Sequence, residues 1–395
     1  MTRSIDNANT SGFIADDALH WAIESYIPVE TSDLKRYLVS RDELDAESKK
    51  RFLELCRHFE KVVHEQTGAY HTEFSSLYTD FDPDFDGRLP MGIESENTQS
   101  HIDELMSLSD QILQDAGYRE LEQAEIENCV GVASQWGVPL HVNFDVFEQL
   151  AVYARGDVVG TRYRRRLRRL YQPEEVDVPI YQRIVVIFRL VEDEPSEEEL
   201  RASVLHMRMF KNIPKQDVDM LLPGTRVRLS KIDRAKIIVP SLGGLVLSLR
   251  KIFQFVLIFA ALTLYSTFVL VGLILAAIGY VVKSVLSYFR TKDRYLLSLT
   301  RNLYFQKLDT NAGVAYRMIQ QSQRQCSIEC AVTLFSILAN DDPISRRKLR
   351  RRCERILRES IDVEIDFQID RALDRLSKAG LVQSNEDLWR PTDPE

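Results

Sequence analysis

Cysteine is scarce in this chain: five residues in 395 are too few and too scattered for a disulfide scaffold. Histidine is missing where a metal would need it. None follows His206, so a zinc site built on Cys326, Cys330 and Cys353 would need carboxylates. These thiols read instead as buried side chains in a reducing compartment. The N-terminus lacks an apolar stretch and mixes Arg3 with Asp6, Asp16 and Asp17. Secretory signals are basic and then apolar, and mitochondrial transit peptides avoid acids, so both are excluded. Also absent are GxGxxG, a Walker A loop, HExxH and GxSxG. No nucleophile, base or metal ligand stands out, and no cofactor is implied. Two partial motifs fail on inspection. Asp82, Asp84, Asp86 and Gly87 start like an EF-hand loop, but the twelfth position is Ile93 rather than a bidentate glutamate. His71-Thr72-Glu73 starts like a zinc deaminase site, with no Pro-Cys-x-x-Cys to complete it.

What is present is a folded composition, 45% hydrophobic and 28% charged, with two asymmetries. The net charge of -8 hides an acidic first part, residues 1–150, and a basic remainder. Hydrophobicity is also concentrated: residues 252–282, between Lys251 and Lys283, contain no charge. Such a run reads as membrane-spanning, because a helix satisfies its own backbone in hydrocarbon. As one helix it would be about 46 Å long against about 30 Å of hydrocarbon. A helical hairpin turning near Tyr265-Ser266-Thr267 fits better. Arg250 and Lys251 on one flank, with Lys283, Arg290, Lys292 and Arg294 on the other, put both ends on the same side by the positive-inside rule.

The pattern along the chain predicts a membrane-anchored α+β protein in four parts. Residues 1–139 form an acidic helical region in which Phe52, Leu55, Cys56, Phe59 and Val63 recur at helical spacing. Residues 140–240 form an antiparallel sheet domain. Its strands LHVNFD, QLAVYAR, TRYRRRL, IYQRIVVIFRLV and VLHMRMF are broken by Gly156, Gly160 and the acidic loop at Pro195, and DVDMLL adds a short helix. Residues 241–290 are the membrane segment. Residues 291–395 continue as helix through YLLSLTRNLYFQKL, stop at DTNAG and resume in IECAVTLFSILA. Two more helices, capped by Ser345 and Asp366, and a closing hairpin give a winged-helix-like outline.

Two basic runs offer partner chemistry. As a strand, the first points Arg162, Arg164, Arg166 and Arg168 to one face, suited to anionic lipid headgroups, to nucleic-acid phosphate, or simply to solvent. The second, Arg346 to Arg358, falls on the second helix of the winged-helix-like part. The following helix, which would enter a DNA groove, balances Asp366, Asp370 and Asp374 against Arg371, Arg375 and Lys378. Nucleic acid is therefore the disfavoured partner, and packing or a protein partner is preferred.

The segments QLAVYARGD, VPIYQRIVVIFRL and HMRMFKNIPKQDVDMLLPGTRVRLSKIDRAKIIVPSLGG resemble the transmembrane protein 143-like family, catalogued as domain of unknown function 3754. The likeness runs from about residue 50 to about 380 and is most specific over 205–245. It implies an integral membrane protein, mitochondrial in animals, and supplies no catalytic residues. Without a presequence, this chain is placed in a bacterial inner membrane with its soluble domains cytoplasmic (a mitochondrial membrane if eukaryotic). Its family-like residues of unknown role are Lys211, Asn212, Pro214, Asp217, Pro223, Gly224, Arg226 and Asp233. The leading functional expectation is a membrane-anchored interaction or scaffold protein whose partners are the bilayer, its anionic lipids and an unidentified protein. The second is a membrane-tethered enzyme or lipid-handling protein with a site between the sheet domain and the bilayer, which a deep polar pocket lined by Lys211, Asp217, Arg226 and Asp233 would favour. The third is a tethered nucleic-acid binder.

Overall fold

A computed structural model describes residues 20–85, 98–126, 140–141, 143–165, 173–191, 204–223, 226–227, 279, 306–340, 342–385 and 387–392. In chain order the elements are β1 (His20–Trp21), α1 (Thr31–Ser40), α2 (Ala46–Tyr78), α3 (Thr98–Asp115), β2 (Arg119–Glu120), β3 (Leu140–His141), β4 (Phe147–Arg165), β5 (Pro173–Leu190), β6 (His206–Pro214), β7 (Arg226–Val227), β8 (Lys307–Thr310), α4 (Ala312–Leu338), β9 (Ile344–Ser345), α5 (Arg346–Ile361), α6 (Ile369–Lys378), β10 (Val382–Asn385) and β11 (Leu388–Pro391). A 3-10 helix, Lys215–Leu221, follows β6.

The main sheet is antiparallel, in the order β1-β4-β5-β6-β8, with β2 also pairing on β4. Both of its faces are covered, which explains the near-continuous apolar run IVVIF in β5. On one face Tyr153, Val185, Ile187, Met207 and Met209 pack against Phe74 and Tyr78 of α2, Ile102, Leu105 and Ile112 of α3, and Val314 and Met318 of α4. On the other, Val152, Ile184, Val186, Phe188 and Phe210 pack against Val218, Leu221 and Leu222 of the 3-10 helix and its sequel.

A second core is helical. Phe52, Leu55, Cys56, Phe59 and Val63 of α2, the stripe expected from spacing, are buried with Leu34 and Leu38 of α1, Ile328 to Ile337 of α4, and residues of α5 and α6. Asp45 starts α2 by accepting the Ser48 backbone N–H at 2.9 Å, which satisfies one of the orphan donors of a helix start. The early part of α2 meets the late part of α4 here, and the ends reverse at the sheet core. The two helices therefore run antiparallel. At 1.5 Å per residue they extend about 50 and about 40 Å, long enough to tie both cores together.

Several local expectations are corrected. QLAVYAR and the described part of TRYRRRL, residues 161–165, are one strand, β4: Gly156 does not break it but adopts a φ of +71° within it. The segment KLDT is strand rather than helix and joins the sheet beside β6. Asn311 in DTNAG precedes the first turn of α4, so this segment starts a helix rather than stopping one. Ser345 occupies the N-cap of α5 without a side-chain capping bond. The N-cap of α6 is Gln368, and Asp366 instead binds Arg350 and the Gln368 amide. The C-terminal order α4-β9-α5-α6-β10-β11, with β9 pairing β11, has the three helices and hairpin expected from the sequence, plus a short strand that ties the hairpin down.

The membrane-anchored part of the expected fold is also corrected, and with it the integral placement in a bacterial inner or mitochondrial membrane. Among the described residues no helix is long and apolar enough to cross a membrane. The most buried helix, α4, carries Arg317, Arg324 and Glu329, and its apolar sides are buried in protein. The run 252–282, on which the hairpin rested, lies outside the described residues apart from Gly279.

Candidate functional site

The C-terminal helical unit is held inward by its last helix. Glu329, in the middle of α4, is 1% exposed and accepts hydrogen bonds from Arg375 Nη1 at 3.1 Å and Gln325 Nε2 at 2.9 Å. Burial pushes its carboxyl above the usual range, against the pull of Arg371 and Arg375 and the bond from Gln325. The same Arg375 reaches Asp115 at the end of α3 at 2.5 Å. Arg371 donates to the Gln114 carbonyl at 2.8 Å. Both cations thus cap the negative end of α3. Both arginines of α6, the helix that would read DNA in a winged helix, are engaged at the end of the chain's own α3.

α5 presents the opposite situation. Leu349, Cys353, Ile356 and Leu357 form its buried face, and eight of its sixteen residues are Arg or Lys. Four of these are matched. Arg346 pairs with Asp370 at 2.8 Å, Arg350 with Glu354 at 2.8 Å and Asp366 at 2.5 Å, Arg352 with Glu43 at 2.5 Å, and Arg358 with Glu364 at 3.0 Å. The other four, Arg347, Lys348, Arg351 and Arg355, are exposed and form no ion pair among the described residues. At 100° per residue they lie within about 100° of arc, opposite the buried face. The result is a continuous cationic stripe.

A third cationic feature crosses the main sheet. In the strand register Arg155 of β4 faces Arg183 of β5, which in turn faces Lys211 of β6. Arg155 is buried, with its guanidinium carbon 4.3 Å from the Tyr26 ring centroid and 4.6 Å from that of Tyr118. It donates to the Ala116 carbonyl at 2.8 Å. A nearby network is closed by contrast. Arg119 pairs with Glu125 at 2.8 Å, the Tyr181 hydroxyl donates to Glu125 at 3.0 Å, and Lys215 meets Asp157 at 2.5 Å. The Glu24 carboxylate accepts the backbone N–H groups of Gly156 at 2.8 Å and Asp157 at 3.2 Å. A cavity of 610 Å³ beside β2 is lined by Glu120, Glu122, Phe144 and Phe147, among others.

The residues singled out from sequence scatter over these elements. Arg162 and Arg164 lie near the end of β4, with Arg164 opposite Glu174 in register; Arg166 and Arg168 lie outside the described residues. Lys211 joins the cationic row. Asn212 takes a φ of +52°, and its carbonyl accepts from Gln306 at 3.1 Å. Pro214 and Pro223 are buried, and Asp217 is in the first turn of the 3-10 helix. There burial, with Asp217 nearby, pushes the Asp219 carboxyl up to about 7. Arg226 is on β7 opposite His141, and Gly224 and Asp233 lie outside the described residues. Lys211, Asp217 and Arg226 therefore sit on three different elements. Of the partial motifs, Asp84 accepts from the Asn311 amide at 2.7 Å, and no metal-holding cluster occurs among the described residues. Sequence reasoning marked the Arg346–Arg358 run but not which of its cations would stay unpaired. It missed Arg155, Arg183 and Glu24, whose roles depend on strand register and a long-range contact.

Residues 181–313, about a third of the chain, match the model of a family described as a protein of unknown function (DUF3754). The match covers the second half of β5, from Tyr181, with β6 and β8, and thus Arg183 and Lys211, while Arg155 and α5 lie outside it. It supports a relationship to an uncharacterised-domain family and does not confirm the finer likeness to transmembrane protein 143. No curated protein and no solved structure matches the chain.

Proposed function

We propose that this protein acts by binding, as an interaction or scaffold protein, and that the stripe Arg347, Lys348, Arg351 and Arg355 of α5 receives an acidic segment of a protein partner. The observation that carries this reading is selective neutralisation: among the described residues Arg346, Arg350, Arg352 and Arg358 are each matched by a carboxylate, and Arg347, Lys348, Arg351 and Arg355, exposed opposite the buried face, are not. Clustered uncompensated charge steers an oppositely charged partner and fixes its orientation. Reading of DNA by α6 is disfavoured because its arginines are engaged by Asp115 and Glu329. The finer likeness to transmembrane protein 143-like proteins is also part of the proposal. It rests on the 205–245 stretch, which falls within the matched segment.

Carbodiimide coupling tests the chemistry directly, because it joins the Lys348 amine to a carboxylate in contact with it. In native lysate, Lys348 is expected to couple to an Asp- or Glu-rich segment of another protein. The adduct should fall at least tenfold in the triple variant Arg347→Glu, Arg351→Glu, Arg355→Glu. Coupling of Lys348 only within its own chain, or an adduct unaffected by the triple reversal, would overturn the reading.

A further inference from the structure

The row Arg155–Arg183–Lys211 brings three cations side by side on one face of the sheet. Residues directly opposite on adjacent antiparallel strands have Cβ atoms about 4.5–5.5 Å apart, and like charges there destabilise a sheet. Here two such like-charge pairings stand side by side. Among the described residues none of the three cations has a carboxylate partner. Arg183 donates only to its neighbour's carbonyl, Gln182 O, at 2.8 Å. The Lys211 side chain makes no hydrogen bond or ion pair among the described residues. Arg155 is 7% exposed, and its Nε is buried without a hydrogen-bond partner.

The surroundings add positive charge rather than removing it. Arg317 of α4 lies close enough to act on Arg183, and the carboxylate it binds, Asp309, is thereby occupied. Burial, and then the neighbouring Arg155, pull the Arg183 guanidinium below its usual range. Tyr118, whose ring faces Arg155, is fixed by its hydroxyl donating to Gln321 of α4 at 2.7 Å. The row is thus held in place: β4, β5 and β6 pair across it, Arg155 is set between two aromatic rings, and α4 packs over the same face.

We propose that Arg155, Arg183 and Lys211 form a binding site for a phosphoryl oxyanion, with Arg183 and Lys211 making the direct contacts. Both of these are partly exposed, whereas Arg155 is buried. Guanidinium groups present paired donors that match phosphate oxygens, and the lysine adds a point charge. A carboxylate would bring only one negative charge to several cations, whereas a phosphate monoester brings nearly two. The site is separate from α5 and stands whether or not the partner reading holds. Inorganic phosphate, a small phosphomonoester and a phospholipid headgroup share the chemistry; the partly buried position favours the first two.

Thermal shift and calorimetry on the full chain, at constant ionic strength, test the proposal with inorganic phosphate, glycerol 3-phosphate and vesicles of phosphatidylglycerol in phosphatidylcholine. Saturable stabilisation by phosphate or glycerol 3-phosphate, and none by equal chloride, is expected. Lys211→Gln and Arg183→Gln should each weaken that binding at least tenfold, while their ligand-free melting temperatures stay equal to or above that of the unmodified chain. Lys211→Gln removes no described bond and keeps the test valid should Arg183→Gln fail to fold. No saturable effect of either small ligand, binding to vesicles alone, or full retention of binding in Lys211→Gln would each overturn the proposal.

Discussion

The pairing of Glu329 with Arg375 makes a quantitative prediction about what holds α6 inward. Glu329 is 1% exposed, so replacing Arg375 by Met leaves a carboxylate in the core with only Gln325 and a distant Arg371, at 2.9 and 3.9 Å. Breaking a buried pair from one side costs about 3–5 kcal/mol, because the remaining charge is uncompensated. Replacing both partners by apolar residues is often neutral for the same reason. Arg375→Met should therefore lower the melting temperature by on the order of 10 °C, taking about 2–4 °C per kcal/mol for a domain of this class. The double variant Arg375→Met, Glu329→Met should recover most of that loss. The pH dependence checks the sign. The folded-state pKa of Glu329 is raised, so its contribution is fully present below the unfolded value and is lost as pH rises through the folded value. In Arg375→Met that loss should be deeper, so the single variant should be closest to the unmodified chain at acid pH. The assay is scanning calorimetry of the three proteins between pH 4 and 8. A single variant within about 1 °C of the unmodified chain at neutral pH, or a double variant no better than the single, would refute the reasoning.

Two further outcomes follow from other contacts. Gly156 has a φ of +71°, and a Cβ there would meet the Gln182 side chain at 2.7 Å, so Gly156→Ala should cost about 1–3 kcal/mol in denaturant unfolding. An unchanged midpoint would show that the sheet relaxes at that position. Glu43 bridges Arg41 and Arg352 at 2.6 and 2.5 Å. Although partial burial raises its carboxyl, the bonds from Arg41 and Arg352 dominate and hold it below the ordinary 4.5. Its contribution is present above that value and is lost as pH falls through the depressed one. Glu43→Gln should thus flatten the acid limb of the stability profile, as followed by circular dichroism, and an identical acid limb would count against the bridge.

The parts of the fold legible in the sequence were those set by periodicity within one segment. Phe52, Leu55, Cys56, Phe59 and Val63 recur at helical spacing and are all buried, because one helix face is a local property. The apolar run of β5 was recognisable as strand for the same reason. Segments whose structure depends on distant partners were misread. KLDT has no strong strand signal and forms its strand on the edge of β6. Gly156 resembles a breaker, yet β4 continues through it, pairing with β5 at Arg155 and Asp157 on either side, and Glu24, more than a hundred residues away, binds its N–H. The cationic row was invisible because Arg155, Arg183 and Lys211 are adjacent only through strand register. Lys211 was noticed for its family likeness, and its charged neighbours were not.

The two faces of the C-terminal unit bear on each other. To offer α6 to a DNA groove, the chain would have to withdraw Arg371 and Arg375 from the end of α3, which strands Asp115 and leaves Glu329 buried without its closest cation. That release costs about the same 3–5 kcal/mol as the Arg375→Met substitution, before any contact with DNA is made. The cations of α5 require no such release, since Arg347, Lys348, Arg351 and Arg355 are already exposed. The same arithmetic gives a combined expectation. Arg375→Met, by loosening α6, should raise any weak, salt-sensitive affinity for duplex DNA while leaving carbodiimide coupling at Lys348 intact. If DNA affinity instead falls together with Lys348 coupling, the two helices act as one surface and the inward docking of α6 is not what selects the partner.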